Sequence, residues 1–277
     1  MINIPIDGRE KVRANGKHSI TNEAYHLDKH YFSSSQVKTA LTSPAHFRYY
    51  SMERNAKHEP TAAMELGTLI HLLVLEPQLF DDTYVVFSGE PNKDGSVPKA
   101  SLKLLNESHP GRTPVSKKNY DIAVKVRQSF MAYPEAKALM FDDACEYEES
   151  FYVDCPETGL KLRVRPDIIN LTDNIIIDLK TTSTTGKDEF LRDAKYRYHY
   201  DLSAYMYSYV VFQLTGVECE FYFSVVGKED LTPIALYKAS RAFMDSGKDK
   251  FFRACDNIKK ALELPDDYRY QESIEEI

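Results

Sequence analysis

The sequence predicts an α/β fold in which a group of β-strands lies between helical segments. Residues 160–182 alternate apolar and polar side chains and then run through three isoleucines, a pattern typical of two consecutive strands. Residues 61–75 and 200–214 instead carry apolar side chains at the spacing of α-helices. With further strands at 148–153 and 217–226, the coarse order is helix, three strands, helix and strand.

Length and composition indicate a globular protein with a substantial core. The chain has 277 residues, 43% hydrophobic and 28% charged, which is enough for one large or two small domains. A net charge of −7 argues against a uniformly basic coat for nucleic acid, although a local basic cleft is compatible with it. No cysteines have C-x-x-C spacing, so we expect reduced thiols and no structural zinc. Without a signal peptide or an apolar run of membrane-spanning length, we expect a cytoplasmic protein.

The N-terminal region divides into an arm and a pair of short helices. Residues 1–30 are polar and weakly periodic, and we predict an N-terminal arm there. The serines at 33–35 are expected to cap a short helix that reaches residue 41, and Ser43 followed by Pro44 begins the next one. A serine-capped helix N-terminus also binds phosphate, although capping alone is the more frequent role.

A buried helix is predicted at 61–75, where Glu76 and Pro77 end it. Gly67 inside this helix costs about 1 kcal/mol relative to alanine, which indicates that another segment approaches closely. His71 lies on the same face, because it follows Gly67 by four residues. On its own, a histidine in an apolar helix is more often a core residue than a catalytic one.

The middle of the chain is predicted to contain an insertion and two helices. Residues 88–116 are rich in Pro, Gly, Asn and Lys and are expected to form a loop insertion with a short helical stretch. Helices follow at 119–132 and 134–140. The strand at 148–153 then turns through residues 156–159 into the central hairpin, which gives a three-stranded meander.

The central hairpin brings two acids and a lysine together. Asp167 and Asp178 are equally distant from a turn centred between residues 172 and 173, so the two strands place them opposite each other. Lys180 follows Asp178 by two residues and shares its face. Two adjacent carboxylates raise each other's pKa unless a cation lies between them, and Mg²⁺ or Mn²⁺ suits such oxygen ligands. The alternative is that both acids cap strand ends and that Lys180 is a surface charge.

The C-terminal third contains a basic and aromatic segment. Between residues 186 and 199, four basic residues are interleaved with Tyr196 and Tyr198, which suits a nucleic-acid backbone and equally an ordinary solvated loop. The other predicted elements are a helix that Gly216 ends, an edge strand, a long helix and an acidic tail, at 200–214, 234–237, 240–262 and 266–277.

Five segments resemble, in their order, the motifs of the PD-(D/E)XK nuclease superfamily. They are a serine-rich opening that ends in S-P (33–44), G-T-L-I-H-x-L-V-L-E-P (67–77), R-P-D (165–167), I-D-L-K-T-T (177–182) and a tyrosine-rich helix (200–207). Within the superfamily they look like the RecE-like (exonuclease VIII) group of phage and prophage recombination exonucleases. The resemblance covers residues 31–226. It implies a central mixed β-sheet with flanking helices, in a single domain at 31–265.

The resemblance also implies roles for individual residues. Asp167 and Asp178 match metal ligands for Mg²⁺, with Mn²⁺ as a substitute, and the carbonyl of Leu179 completes the coordination shell. Lys180 matches the catalytic lysine, and His71 matches a further ligand or a neighbour of a second metal ion. Residues expected to contact DNA lie on the strand face of Asp167, at the serine-capped helix and near the catalytic lysine and tyrosine-rich helix: Lys161, Arg163, Arg165, Ser34, Ser35, Thr181 and Tyr207. Ser203 is a departure, because the family commonly has a glutamine four residues before this tyrosine.

The function that the resemblance implies is that of a metal-dependent DNA exonuclease. Such enzymes digest linear double-stranded DNA from 5′ ends without ATP and leave 3′ tails for a single-strand annealing partner, and some form homo-oligomeric rings, here a trimer or a tetramer. One alternative is an endonuclease of restriction or repair with the same centre. Another is a DNA-binding recombination accessory protein without turnover, which the Ser203 departure and the acidic net charge favour.

Overall fold

The computed structural model describes residues 12–53, 61–182, 185–227, 234–265 and 268. Its strands are β1 (Gly16–His18), β2 (Phe32–Ser33), β3 (Tyr84–Phe87), β4 (Thr113–Ser116), β5 (Glu146–Tyr147), β6 (Ser150–Asp154), β7 (Lys161–Val164), β8 (Ile168–Asn170), β9 (Ile175–Thr182), β10 (Glu220–Gly227) and β11 (Ile234–Lys238). Its α-helices are α1 (Asn22–Leu27), α2 (Ser34–Thr39), α3 (Pro44–Phe47), α4 (Ala62–Leu75), α5 (Phe80–Thr83), α6 (Lys99–Ser108), α7 (Lys117–Ala132), α8 (Pro134–Met140), α9 (Lys187–Arg192), α10 (Tyr200–Thr215) and α11 (Arg241–Leu262). Short π-helical segments follow α3 and α9, at Arg48–Glu53 and Asp193–Arg197.

Capping side chains begin the helices where the sequence predicts. Ser33 and Gln36 form a reciprocal capping box at the start of α2. Ser43 accepts a hydrogen bond from the backbone N–H of His46 at 3.0 Å and so caps α3. Gly216, with φ 72°, ends α10 in the left-handed conformation that glycine adopts without strain.

A five-stranded mixed sheet forms the centre of the molecule, in the order β11-β10-β9-β8-β5. Strands β9 and β10 run parallel and the other neighbours run antiparallel, which confirms the predicted mixed sheet. Ile168 pairs with Ile177 in the β8–β9 hairpin, so the next opposed positions are Asp167 and Asp178. The predicted register of the central hairpin is therefore confirmed.

The predicted three-stranded meander is also present, with an interruption. Strands β6 and β7 belong to a second sheet, β1-β6-β7-β2, but their register continues into the pairing of β5 with β8. The ladder breaks where Glu148, with φ 53°, faces Asp167. Pro166 has no N–H to donate there, and the Asp167 carboxylate accepts the Leu179 N–H, so side chains replace regular pairing.

The central sheet lies between two cores. Ile169, Ile176 and Phe223 face one core with the buried residues of α10 and α11. Ile168 and Ile177 face the other core with the buried residues of α4 and α7. Adjacent residues of β9 face opposite cores, so both faces of this strand are buried. The run of isoleucines is therefore continuous and does not alternate with polar residues. In contrast, the first half of α4 is largely exposed, so the prediction of a fully buried helix holds only for its second half.

Three predicted irregular segments contain regular structure. In the predicted N-terminal arm, residues 16–18 form β1, which pairs with β6, and α1 follows; residues 1–11 lie outside the described residues. In the predicted insertion, β4 pairs in parallel with β3 across α6. The segment 186–199 is α9 and a π-helical turn. Each short strand pairs with a partner distant in sequence, which local patterning does not identify. Apart from Tyr268, the predicted acidic tail lies outside the described residues.

Within the described part of the chain, no single helix is long and apolar enough to cross a membrane. Helix α4 reaches that length and apolar character only together with residues 77–83, from which it is separated by a bend of 116°.

Candidate active site

Three acids lie opposite one another across the meander, Glu148 between β5 and β6, Asp167 between β7 and β8, and Asp178 in β9. Glu148 is opposite Asp167, and its backbone N–H donates to the Asp167 carbonyl at 3.2 Å. Asp167 is in turn opposite Asp178, which is 4% exposed on β9. The break in the ladder takes Glu148 and Asp167 out of regular strand pairing, and one carboxylate oxygen of each lies within 4.8 Å of the other.

Asp167 occupies the centre of the site. Its Oδ2 accepts a hydrogen bond from the Leu179 N–H at 2.6 Å and lies 3.6 Å from His71 Nδ1. One ligand atom from each of His71, Glu148 and Asp167 lies within 4.8 Å of the others. Two carboxylates and an imidazole at this separation form a donor set that a divalent cation can share.

Lys180 lies on the other side of Asp167. Its ammonium group forms an ion pair with Asp178 Oδ2, and its Nζ is 4.8 Å from the centroid of the Tyr200 ring. Burial lowers the pKa of Lys180, but the neighbouring carboxylates of Asp178 and Asp167 outweigh it and leave the pKa raised. Lys180 is therefore held as a cation.

The acids of the site are difficult to ionise without a counterion. Burial, and then the charge of Asp178, raises the pKa of Asp167 to about 7. Burial, and then the charge of Asp167, raises the pKa of Glu148 to about 7. Burial, and then Lys180, lowers the pKa of His71, so its imidazole is neutral and free to ligate. These residues fit a divalent cation, which would stabilise both carboxylates in the ionised form.

The close approach predicted at Gly67 brings His71 into the site. A Cβ atom built at Gly67 would lie 3.3 Å from Thr181 Oγ1, so glycine lets α4 pack directly against β9. One helical turn later, His71 reaches Asp167 from the same face. Thr181, a predicted DNA contact, thus packs against α4, and its contact with DNA stays a prediction.

The sequence from residue 33 to residue 275 matches the family described as "PDDEXK-like domain of unknown function (DUF3799)". The chain belongs to this family. The chain contains the dipeptide P-D at Pro166-Asp167 and the tripeptide D-x-K at Asp178-Leu179-Lys180, which match the letters of the family's description.

One solved structure shares the fold of this chain. The structure of a "Putative exonuclease" from Eubacterium rectale matches with a TM-score of 0.63 at 15% identity, over 93% of this chain and 97% of that one. A second structure, that of SSO0001, is 13% identical over 68% of this chain and 86% of that one, and its TM-score of 0.26 is too low to support an argument. No curated protein matches the sequence.

Two of the basic residues predicted to contact DNA are held inside the PDDEXK-like domain. Arg163 is 3% exposed, and its guanidinium group binds the Asp28 carbonyl and lies over the Tyr25 ring. The prediction that Arg163 contacts DNA is therefore corrected, because this side chain anchors the N-terminal segment to β7. Arg165 donates a hydrogen bond to Glu148 Oε2 at 2.7 Å, so its guanidinium group is already bound to one of the acids of the site.

The remaining residues predicted to contact DNA differ in the exposure of their side chains. Ser34 is buried and donates to Ser203 Oγ at 2.9 Å, so its predicted contact with DNA is also corrected. This bond occupies the hydroxyl group of Ser203, the position at which the sequence resemblance implies a glutamine. Ser35 is exposed at the start of α2, and Lys161 pairs with Asp154 at 2.6 Å near the surface. For Ser35 and Lys161, as for Arg165 and Tyr207, the contact stays a prediction.

Tyr207 of α10 lies close enough to the acids of the site for their charges to affect its pKa. Burial, and then Tyr25 and Asp178, raises the pKa of Tyr207 well above its usual value of 10. Its phenol therefore stays protonated beside the site and is available as a hydrogen-bond donor.

Two residues of the site were not predicted. Glu148 is one, although its position opposite Asp167 follows from the turn at 156–159. Lys38 on α2 is the other: its Nζ lies 5.5 Å from the centroid of the same Tyr200 ring that Lys180 contacts. Among the residues described, Lys38 has no carboxylate within 4.0 Å, and burial, followed by the charge of Lys180, lowers its pKa to about 8. No local pattern marks Lys38, because its place depends on how α2 packs against α10.

Proposed function

We propose that this protein is a Mg²⁺-dependent, ATP-independent exodeoxyribonuclease, a phosphodiester hydrolase that degrades linear double-stranded DNA from 5′ ends. The observation that supports this proposal is the convergence of Asp167, Asp178 and Lys180 in one buried site with His71 and Glu148. Membership of a PDDEXK-like family supports nuclease activity. The likeness to a structure described as a "Putative exonuclease" supports attack at DNA ends.

The donor set suits Mg²⁺, with Mn²⁺ as a substitute. Asp167, Glu148 and His71 would hold one ion, and Asp178 with the carbonyl of Leu179 would hold a neighbouring one. Oxygen donors favour Mg²⁺, while Mn²⁺ also accepts an imidazole. When bound, such ions supply a water of lowered pKa and neutralise charge on the phosphate.

The lysines would act on the phosphate itself. Lys180 is held charged by Asp178, so it serves as a hydrogen-bond donor rather than as a base. It would orient the attacking water and stabilise the negative charge that develops on the phosphate. Lys38, whose Nζ lies 5.5 Å from the centroid of the same Tyr200 ring, would hold a second phosphate oxygen. Cleavage would release the 3′ oxygen and leave a 5′ phosphate.

The decisive experiment uses linear duplex DNA labelled at either the 5′ or the 3′ end. In Mg²⁺ we expect the 5′ label to be released first, and covalently closed circular DNA to stay intact. Lys180→Ala and Asp178→Ala are expected to lower the rate at least 100-fold, since one oxyanion-stabilising donor is worth about that factor. Lys117→Ala is the control, because this exposed lysine pairs with Asp121 at the start of α7, away from the site.

Each alternative function gives a different result. Cleavage of the closed circle would make the protein an endonuclease. Binding of DNA in Ca²⁺ without cleavage in Mg²⁺ or Mn²⁺ would make it an accessory protein. An unchanged rate in Lys180→Ala would exclude the assigned centre.

We also propose a place for the activity in recombination. Digestion from 5′ ends leaves 3′ single strands, which a single-strand annealing protein can pair. A homo-oligomeric ring, a trimer or a tetramer, would keep the enzyme on one DNA end. Sedimentation of the purified chain at several concentrations tests the ring, and a monomer at all of them would exclude it.

A further inference from the structure

An aromatic stack leads from the candidate active site to the protein surface. Tyr200 is the ring beside Lys180, and the Tyr198 ring stacks on it with centroids 5.3 Å apart and planes 17° from parallel. Tyr200 is partly buried, whereas Tyr198 is 42% exposed. The outer ring of the stack is therefore in contact with solvent while the inner ring is in contact with the catalytic lysine.

The backbone that carries this stack is fixed to the core. His199 lies between the two tyrosines in the left-handed conformation, with φ 49° and ψ 47°, which turns both rings to the same side. Lys250 of α11 donates to His199 Nδ1 at 3.2 Å and forms an ion pair with the buried Asp201 at 2.7 Å. These contacts make Tyr198 a rigid platform, although it lies at the end of a short exposed segment.

A weakly attached cation lies near the exposed ring of the stack. The guanidinium carbon of Arg197 lies 5.1 Å from the Tyr198 centroid. Arg197 is 69% exposed, and its ion pair with Asp193 is long, at 3.9 Å. A solvent-exposed pair of this length contributes little to stability, so the arginine can leave the ring at small cost. Tyr196 repeats the arrangement, since it is 70% exposed with Lys195 Nζ 5.6 Å from its ring.

We propose that Tyr198 stacks with an unpaired base of the DNA strand that continues beyond the cleaved phosphate, and that Arg197 moves from the Tyr198 ring to the backbone of that strand. The proposal rests on the proposed nuclease function, because it extends the same site outward. Inside a duplex, neighbouring bases cover both faces of each base, so an internal base can stack on Tyr198 only when it is unpaired, as in single-stranded DNA. An aromatic platform beside movable cations is the combination that binds single strands without sequence preference.

The probe for this proposal is a series of single-stranded oligonucleotides, each with the fluorescent base 2-aminopurine at one position. Binding is measured in Ca²⁺. We expect quenching at one position in the wild type, which Tyr198→Phe preserves. Tyr198→Ala and Tyr198→Leu are expected to abolish it and to weaken binding roughly 5- to 150-fold, the range for loss of one stacked base. The matched control is Tyr133→Ala, because Tyr133 is similarly exposed (36%) between α7 and α8.

Arg197→Ala separates the base contact from the phosphate contact. It is expected to keep the 2-aminopurine quenching but to reduce the salt dependence of binding by about one phosphate contact. Wild-type-like quenching and affinity in both Tyr198→Ala and Tyr198→Leu would overturn the proposal, even if linear DNA is degraded normally. Conversely, the wild type could bind single strands with quenching that Tyr198→Leu abolishes and yet never cleave DNA. That result would refute the nuclease function and support this binding surface.

Discussion

Lys38 and Lys180 place two ammonium groups around one tyrosine ring. Lys180 has Asp178 as its counterion, whereas Lys38 has no carboxylate within 4.0 Å among the residues that the structure describes. A partly buried cation without a counterion destabilises a folded protein, and a second cation nearby increases that cost. Such an arrangement is useful where an anion binds, since the anion then removes both penalties.

Replacement of Lys38 by methionine tests this interpretation. Because the pKa of Lys38 is lowered to about 8, the folded protein disfavours its charge at neutral pH. We therefore expect Lys38→Met to raise the melting temperature of the DNA-free protein at pH 7. It should also lower the single-turnover cleavage rate roughly 10- to 100-fold, by loss of one charge-assisted phosphate contact.

Lys117→Met is the control for Lys38→Met. Lys117 is an exposed lysine that pairs with Asp121 at the start of α7. It should change neither the cleavage rate nor the melting temperature appreciably. A Lys38→Met protein that cleaves DNA as fast as the wild type would exclude Lys38 from the site.

At the scale of elements, two helix glycines make different close approaches. A Cβ atom at Gly67 of α4 would meet only the Thr181 hydroxyl, at 3.3 Å. A Cβ atom at Gly247 of α11 would overlap the backbone carbonyl of Asp201 in α10. A side-chain oxygen can shift, whereas the first turn of α10 is held by Lys250 and by the buried Asp201.

The two alanine variants should therefore differ in stability. Alanine stabilises a helix by about 1 kcal/mol relative to glycine, so Gly67→Ala is expected to be near neutral. Gly247→Ala should lower the free energy of unfolding by more than about 2 kcal/mol, because overpacking against a fixed backbone exceeds the helical gain. Urea denaturation of both variants measures the difference, and equal stabilities would show that α10 and α11 move apart without cost.

Hairpin geometry explains which parts of the site were predictable. The turn at 172 and 173 placed Asp167 opposite Asp178, and the observed register confirms it. The turn at 156–159 places Glu148 opposite Asp167 by the same argument, but this consequence was not drawn from the sequence. Local patterning cannot predict that Glu148 adopts φ 53°, because that conformation depends on the broken ladder beside Pro166.

Contacts between distant elements account for what the sequence did not reveal. Lys38 and Lys180 lie near the same Tyr200 ring because α2 packs against α10, where Ser34 donates a hydrogen bond to Ser203, 169 residues away. The parallel pairing of β3 with β4 likewise joins segments on either side of α6. Arg163 looked like a surface residue by alternation, but Tyr25 of α1 and the following Asp28 cover its side chain. In each case tertiary packing decides the environment of a side chain whose local pattern was read correctly.

At the scale of the whole molecule, the buried acids connect stability to pH and to metal ions. Burial, and then Asp178, raises the pKa of Asp167 to about 7, whereas an aspartate in an unfolded chain has a pKa of about 3.9. Between these values the folded protein binds more protons than the unfolded chain. Stability contributed by Asp167 is therefore present at low pH and is lost as the pH rises through about 7. His71, whose pKa is lowered, acts in the opposite direction, so the wild-type profile alone does not isolate Asp167.

Comparison with Asp167→Asn isolates this effect. In the presence of a chelator at pH 8, we expect Asp167→Asn to be more stable than the wild type by at least about 1.4 kcal/mol, the equivalent of one pKa unit. The difference should decrease as the pH falls from 8 to 5, because the wild-type carboxyl group becomes protonated. Saturating Mg²⁺ should stabilise the wild type at pH 8 but not the variant, since bound metal favours the ionised carboxylate. Thermal unfolding at each pH, with chelator or with Mg²⁺, measures all three effects. If the two proteins keep a constant difference from pH 5 to pH 8, Asp167 is ionised throughout, and a cation site centred on a protonatable pair of acids is excluded.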